Sequence, residues 1–323
     1  MPLGEFELID RYFRALGARR ADVLLGVGDD AAVLSLPAGK RLVAATDTLV
    51  EAVHFPKDCA PRSIGHRVLA VNLSDLAAMG AKPAWATLAL TMPKAEESWL
   101  AEFAAGLDEL ARLHAVALVG GDTTAGPLTV TLTLLGLAES GSYLSRASAA
   151  PGDHVFVSGV VGDGAAGLAA LESRLGTGSL AARQRLMRRF LYPEPRVELG
   201  ARLLGIASAA IDISDGVAAD VAKLIRASGC GARIDVTQLP LSTDLLECAG
   251  PAGALDFALS GGDDYELCFT VPPERFAELA ERVPASRWPH RDVGVVDDSG
   301  EVVFFAGNGI VTPGRPGYDH FAT

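Results

Sequence analysis

The sequence predicts a two-domain protein of mixed α/β (α+β) class, and three observations lead there. The chain has 323 residues, enough for about two domains. Apolar runs of strand length alternate with longer amphipathic stretches in both halves, without a strict βαβ rhythm. Between the halves, residues 145–153 (SRASAAPGD) form a small, polar, Pro- and Gly-bearing stretch, followed at once by a new apolar run. The expected division is therefore 1–148 and 149–323.

In the first half, residues 41–50 (RLVAATDTLV) read as a buried strand that ends in polar residues, with Thr46-Asp47-Thr48 at the strand end. Residues 61–80 read as a helix carrying Ile64, Val68, Val71, Leu76 and Met79. Residues 84–92 alternate like a strand and 96–113 read as a helix. Residues 116–119 and 128–137 read as strands, with Gly120-Gly121-Asp122 turning between them. That mixture leans toward a mixed or antiparallel sheet with helices on one face. In the second half, strands are expected over 154–161, 209–213, 233–236, 265–271 and 293–296. Helices are expected over 165–175, 180–191, 195–204 and from Ser214, as N-cap, to about Ser228, with Gly229 as the C′ residue.

Composition narrows the function. Hydrophobic residues are 49% and charged ones 21%, an ordinary globular balance. Lys and Arg number 28 against 40 Asp and Glu, a net charge of −12, which disfavours nucleic-acid and anionic-membrane partners. Aromatic residues are 6% and not interleaved with basic ones. No apolar run reaches the ~18 residues of a membrane span. The opening MPLGEF has no basic segment leading into an apolar one, so no signal peptide is expected. Cys59, Cys230, Cys248 and Cys268 are scattered and form no CxxC or Cys/His cluster, as suits a cytoplasmic protein without zinc or a disulfide framework.

The most informative pattern is acidic. Aspartates stand at the ends of apolar runs or within them: GVGDD at 26–30, TDT at 46–48, NLSD at 72–75, GGDTT at 120–124, IDISDG at 211–216 and GGDD at 261–264. Any one Asp after a strand is ordinarily a turn residue or a cap. Six such sites beside Gly or Thr, in a chain short of cations, suggest more. Buried carboxylates need a partner or a cation. Oxygen-only donors suit a hard cation such as Mg²⁺, which leaves part of its shell to water and substrate phosphate. Asp75 is the hardest to read as a turn residue, because apolar residues flank it on both sides, although a solvent-facing helical Asp fits too.

Other signals are weaker. Residues 162–167 (GDGAAG) match GxGxxG between a strand and a helix. About 20 residues on, however, the chain reads Arg183-Gln184-Arg185 where a dinucleotide site needs an acid. The competing reading is a glycine turn that lets a helix N-terminus pack closely. No GxxxxGK[ST], HRD…DFG or GxSxG motif is present. His54 can be a structural or a functional histidine, and Arg146 a phosphate clamp or a solvated linker charge.

Taken in order, GEF at 4–6, GVGDDAAVL at 26–34, TDTLVEAVHF at 46–55, AVNLSDLAAMGAKP at 70–83, LVGGDTT at 118–124, IDISDGVAADV at 211–221, SGGDDYEL at 260–267 and GYDHF at 317–321 resemble the thiamine-monophosphate kinase family over nearly the whole chain. The NLSDLAAMGA segment marks the wider superfamily with aminoimidazole ribonucleotide synthetase and selenophosphate synthetase. The resemblance implies an aminoimidazole ribonucleotide synthetase-like fold. It implies ATP-dependent phosphorylation of thiamine monophosphate to thiamine diphosphate, with several Mg²⁺ ions. It further implies a homodimer joined through N-terminal sheets, with nucleotide bound at that domain. By position it assigns Asp30, Thr46, Asp47, Asp75, Asp122, Asp212 and Asp215 to metal, and Gly121, Asp122, Arg146 and Ser214 to ATP. His54, Asp263 and Tyr318 fall on the substrate side. Asp47, Asp75, Asp122 and Arg146 would carry the chemistry electrostatically, without a general base. Two residues depart from the family pattern: Ala125 stands where Arg is common after GGDTT, and Asp263 stands where GGED has the longer glutamate. The alternatives are another ATP-dependent synthetase of the superfamily acting on a different acceptor, and a non-catalytic nucleotide-binding protein.

Overall fold

A computed structural model describes residues 4–176, 178–315 and 317. The chain divides into two compact units, Met1–Leu76 with Ala81–Gly141, and Ala77–Gly80 with Ser142–Thr323.

The first unit is built on four long strands. It contains α1 (Glu5–Tyr12), a small antiparallel pair β1 (Val23–Leu25) and β2 (Val33–Leu34), β3 (Lys40–Val50), α2 (Pro61–Ala78), β4 (Lys82–Met92), α3 (Glu97–Leu113), β5 (Ala117–Ala125) and β6 (Thr129–Glu139). The sheet order is β3-β6-β4-β5. β4 and β5 are parallel, joined through α3, and the other pairs are antiparallel, so the sheet is mixed. β3 and β6 pair over their full length, from Lys40 opposite Glu139 to Val50 opposite Thr129.

The two faces of this sheet differ, as a period of two requires. Val130, Leu132 and Leu134 of β6 are fully buried on one face. Their partners Leu49, Asp47 and Ala45 share that face. α2 covers it: Leu76 lies against Gly136, and Asp75 bonds Asp47. α2 opens on Pro61, whose missing N–H suits a first helical turn. It is buried nearly all round, polar Ser63, Arg67, Asn72 and Ser74 included. The opposite face carries a ladder of hydroxyls. Thr46 pairs with Thr133 at 2.8 Å, Thr48 with Thr131 at 2.9 Å and Thr91 with Thr124 at 3.0 Å.

Two sequence expectations for this unit are corrected. Thr46-Asp47-Thr48 lies inside β3, because the ladder to β6 continues to Val50. Gly120-Gly121-Asp122 is not a turn: β5 runs through it to Ala125, hydrogen-bonded to β4, and the chain reverses after Gly126. The glycine there serves close approach instead. A Cβ at position 121 would overlap the Leu88 carbonyl oxygen.

The second unit has β7 (His154–Ser158), α4 (Asp163–Leu171), α5 (Leu180–Leu191), α6 (Val197–Leu203), β8 (Ala209–Ile213), α7 (Val217–Ser228), β9 (Gly231–Asp235), α8 (Thr243–Ser260), β10 (Glu266–Val271), α9 (Phe276–Arg282), β11 (His290–Asp297), β12 (Val302–Ala306) and β13 (Gly309–Ile310). α8 is broken at Gly250, just before Pro251. The seven strands run in the order β13-β12-β9-β11-β7-β10-β8, and only β9 and β12 pair in parallel. One face packs Val155, Val157, Ile211 and Ile213 against Val221, Leu224 and Ile225 of α7. The other packs Phe156, Leu267, Phe269 and Val271 against Leu199 and Leu203 of α6 and Leu279 of α9. β10 is covered on both faces, and every one of its residues is buried.

Here too one expectation fails. Ser214 is not the N-cap of α7; Gly216 is, at φ +107°. The Ser214 N–H instead donates to Asp220 Oδ2 at 3.0 Å and that of Asp215 at 2.9 Å. Residue 220 thus ties back a loop that a serine cap would have closed locally. Gly229 does end the helix, in the left-handed region.

Candidate active site

In the first unit a cavity of about 720 Å³ lies between the end of α1, loop 27–30 and the β5 segment 120–123. It brings together three residues assigned from sequence, Asp30, Gly121 and Asp122. Local turns shape both acidic corners: Asp30 N–H donates to Asp29 Oδ1 at 2.9 Å and Thr123 N–H to Asp122 Oδ1 at 3.0 Å. Among the described residues lining this cavity Arg14 is the one cation, beside Glu7, Asp10, Asp29, Asp30 and Asp122. Its guanidinium is paired with Asp10 and sits 2.8 Å from where a Cβ at Gly28 would stand. Sequence reasoning missed it, because an arginine just past a short helix carries no signal of what it faces.

Asp47 and Asp75 form the second acidic feature. β3 presents Asp47 on the helix-covered face, and α2 brings Asp75 to it, so the two carboxyls hydrogen-bond. Burial lifts the Asp47 carboxyl above the usual aspartate range, and the bond with Asp75 works against that lift. Two hydrogen-bonded carboxyls can share one proton or one cation between them. Asp75 is therefore not a solvent-facing helical aspartate. Thr46 points to the opposite face, where its hydroxyl bonds Thr133. It can join Asp47 around a cation only through its backbone carbonyl.

His54 follows β3 in a tight turn. Its Nδ1 accepts the Val50 N–H at 3.0 Å, which leaves the proton of the neutral ring on Nε2.

In the second unit, Asp212, Ser214 and Asp215 stand at the C-terminal end of the edge strand β8, and Asp263 stands just before its neighbour β10. The pairing is direct: Glu266 lies opposite Ile213, Asp263 N–H donates to Ser214 O at 2.9 Å, and Tyr265 N–H to Ile213 O at 2.9 Å. Asp212 is buried. Asp215 is ion-paired with Lys223, which also holds Asp220 at 2.8 Å. A cation at Asp215 would have to displace that ammonium or share the carboxylate with it. Burial raises the Asp220 carboxyl, against the opposing pull of Lys223. Arg146 is exposed in the segment before β7, anchored through its carbonyl, which accepts Ser228 Oγ at 2.9 Å. Tyr318 lies outside the described residues.

Among the described residues, no three histidine, cysteine or carboxylate side chains stand close enough together to hold a metal ion by themselves. That arrangement fits Mg²⁺, which takes one or two carboxylates and completes its shell with water and phosphate oxygens.

The GxGxxG match is explained without a dinucleotide. Gly162 N–H donates to Asp264 Oδ2 at 2.7 Å and Gly164 N–H to Asp264 Oδ1 at 3.0 Å, so a carboxylate of the chain itself occupies the start of α4. Asp264 is fully buried, and burial drives its carboxyl well above the ordinary range, against those two bonds. Next to it, Glu266 is wholly buried, bonded by Ser158 Oγ at 2.6 Å and Arg196 Nε at 2.7 Å, with Arg189 at 3.2 Å. Burial alone would raise it, but Arg196 and then Arg189 hold it below the usual glutamate range. This cluster is a structural one.

Residues 28–138 match the family model of the AIR synthase related protein N-terminal domain, and residues 150–307 that of the AIR synthase related protein C-terminal domain. Fold and acidic strand ends together therefore define a member of the AIR synthase-related class. Within that class, the chain is 46% identical to the thiamine-monophosphate kinase of Salmonella typhimurium (strain LT2), over the full length of both chains. It superposes on the crystal structure of thiamine-monophosphate kinase from Stenotrophomonas maltophilia K279a with a TM-score of 0.86 at 43% identity, covering 96% of this chain and 99% of that one. A solved complex of AaThiL with AMPPCP and TMP gives a TM-score of 0.78 at 30% identity, covering 99% of each chain. The chain belongs to the thiamine-monophosphate kinase family.

Proposed function

We propose that this chain phosphorylates thiamine monophosphate to thiamine diphosphate with ATP, by direct in-line transfer of the γ-phosphoryl group. The observation that carries the reading is the 46% identity to a thiamine-monophosphate kinase along the whole chain.

The chemistry asks little of an acid or base. The second pKa of a phosphate monoester is about 6, so the acceptor oxygen is already ionised near neutral pH. The difficulty is bringing two anions together, and the task of the site is charge neutralisation and alignment. In this reading Gly121 lets the nucleotide approach the β5 backbone, while Asp30 and Asp122 hold metal at the cavity. Asp47 with Asp75, and Asp212 with Asp215, hold further ions, with Thr46 lending its carbonyl. Mg²⁺ bound by these residues would supply positive charge that neutralises the phosphate groups. Arg146, Ser214 and, from the cavity itself, Arg14 contact ATP. His54, offering Nε2–H, and Asp263 face thiamine monophosphate together with Tyr318. Unit by unit, residues 1–148 serve nucleotide, metal and pairing of two copies, and residues 149–323 complete the site. The protein works in the cytoplasm as a homodimer. Among the described residues no helix is long and apolar enough to cross a membrane.

The test is ADP release from ATP with thiamine monophosphate, with and without Mg²⁺, and chromatography of the product. Thiamine diphosphate formed only with metal and both substrates is the expected result. ATP binding without that product would assign the chain a different acceptor, and no ATP binding would overturn the reading entirely.

A further inference from the structure

The loop before β10 is held in an unfavourable shape with unusual thoroughness. Gly262, Asp263 and Tyr265 all have positive φ, at +76°, +62° and +53°. Residues with a β-carbon avoid that region unless their surroundings impose it. Here three sets of bonds do so. Asp264 is fastened by both carboxylate oxygens to the N–H groups of Gly162 and Gly164. On either side of it, the N–H groups of Asp263 and Tyr265 are bonded to the carbonyls of Ser214 and Ile213, each at 2.9 Å. Finally, the Tyr265 hydroxyl donates to Asp263 Oδ1 at 3.0 Å. Tyr265 is only 7% exposed, so that hydroxyl reaches Asp263 from the packed side of the loop. The loop also presses on α4, where a Cβ at Gly164 would overlap the Asp263 carbonyl.

Core packing alone would not need a tyrosine hydroxyl aimed at a neighbouring carboxylate, nor two adjacent acids pointing different ways, one sealed and one half-exposed. We infer that Tyr265 and Asp264 are positioning residues that set the Asp263 carboxylate for the cationic heterocycle of the acceptor substrate, Asp264 by locking the loop backbone and Tyr265 by locking the carboxylate rotamer. The inference rests on the reading of Asp263 as a substrate residue. It also accounts for how aspartate serves there: with a shorter side chain than glutamate, reach is set by the backbone and direction by the bond from the Tyr265 hydroxyl. Because the loop hangs on the Ser214 carbonyl, the acceptor side and the nucleotide side of this unit share one frame.

The experiment is steady-state kinetics on Tyr265→Phe, Asp263→Asn and the double variant, with Asp264→Asn as a second probe of the loop. Tyr265→Phe is expected to raise KM for thiamine monophosphate by about tenfold, with kcat and KM for ATP within about twofold. Asp263→Asn raises the same KM, and adding Tyr265→Phe to it changes nothing more, because the hydroxyl acts through that carboxylate. Asp264→Asn raises the same KM with an unchanged circular dichroism spectrum. If Tyr265→Phe leaves that KM unchanged while Asp263→Asn raises it, the positioning role is overturned and the substrate reading of Asp263 stands. If Asp263→Asn itself has no effect, both fall. Equal rises in both KM values for Tyr265→Phe would mean a general loosening of the loop and would also overturn the inference.

Discussion

Asp47 and Asp75 are 28 residues apart in sequence and share one hydrogen bond in the fold. In the sequence Asp75 stands out because apolar residues crowd it on both sides, whereas Asp47 reads as a polar residue at a strand end. The alternation of β3 decides what each residue there can do: Asp47 turns toward α2 and Thr46 toward Thr133. If the pair holds a cation as proposed, its like charges trade stability for function. Asp75→Asn should therefore lower turnover at saturating Mg²⁺ by at least about 100-fold while leaving the melting temperature unchanged or higher. Near wild-type turnover would remove the pair from the metal site. Arg14 had no local signal at all, since what makes it notable is a cavity assembled from three separate segments.

At the scale of elements, strong periodicity was legible and backbone hydrogen bonding was not. The helix at 180–191 and the strand at 209–213 follow from local pattern and match the observed bounds. Gly120-Gly121 misleads because two glycines before an aspartate suit a turn and also suit a strand that must touch its neighbour. Only the ladder to β4 distinguishes them. The glycine loop before α4 was ambiguous for the same reason, its partner being Asp264, about 100 residues away. A second test belongs to the end of α3, whose C-cap residue His114 is half-buried. Burial, and then the charge of nearby His66, hold its pKa below the ordinary histidine value. In the unfolded chain the ring takes its proton at a higher pH than in the fold. Its contribution to stability is therefore present above about pH 6.5 and is lost as pH falls through that value toward the folded one. Wild-type protein should lose several degrees more in melting temperature between pH 7.5 and pH 5.0 than His114→Asn does. Parallel losses in both proteins would refute the burial account.

For the whole molecule, the proposed homodimer would pair through the hydroxyl ladder of the first unit. Thr46 and Thr48 are exposed, and Leu42 is 52% exposed on the same face. A broad face of threonines and apolar side chains suits pairing with a second copy. Wild-type protein should elute with the mass of a dimer by light scattering. Thr48→Arg, which would bury an unpaired charge at that interface, should elute as a monomer with lower stability. A monomeric wild type, or a variant that stays dimeric, would refute this assignment. The sequence by itself determined the two-part α/β organisation and the family, because these rest on periodicity, composition and ordered motifs that survive without coordinates. Only the tertiary structure decided which acids meet. Asp47 finds Asp75, Asp30 and Asp122 share a cavity, Asp215 is claimed by Lys223, and Asp264 caps the glycine turn before α4. The physical reason is that a carboxylate's role is set by whatever stands within about 3 Å of it, and in this chain that neighbour often comes from a distant segment.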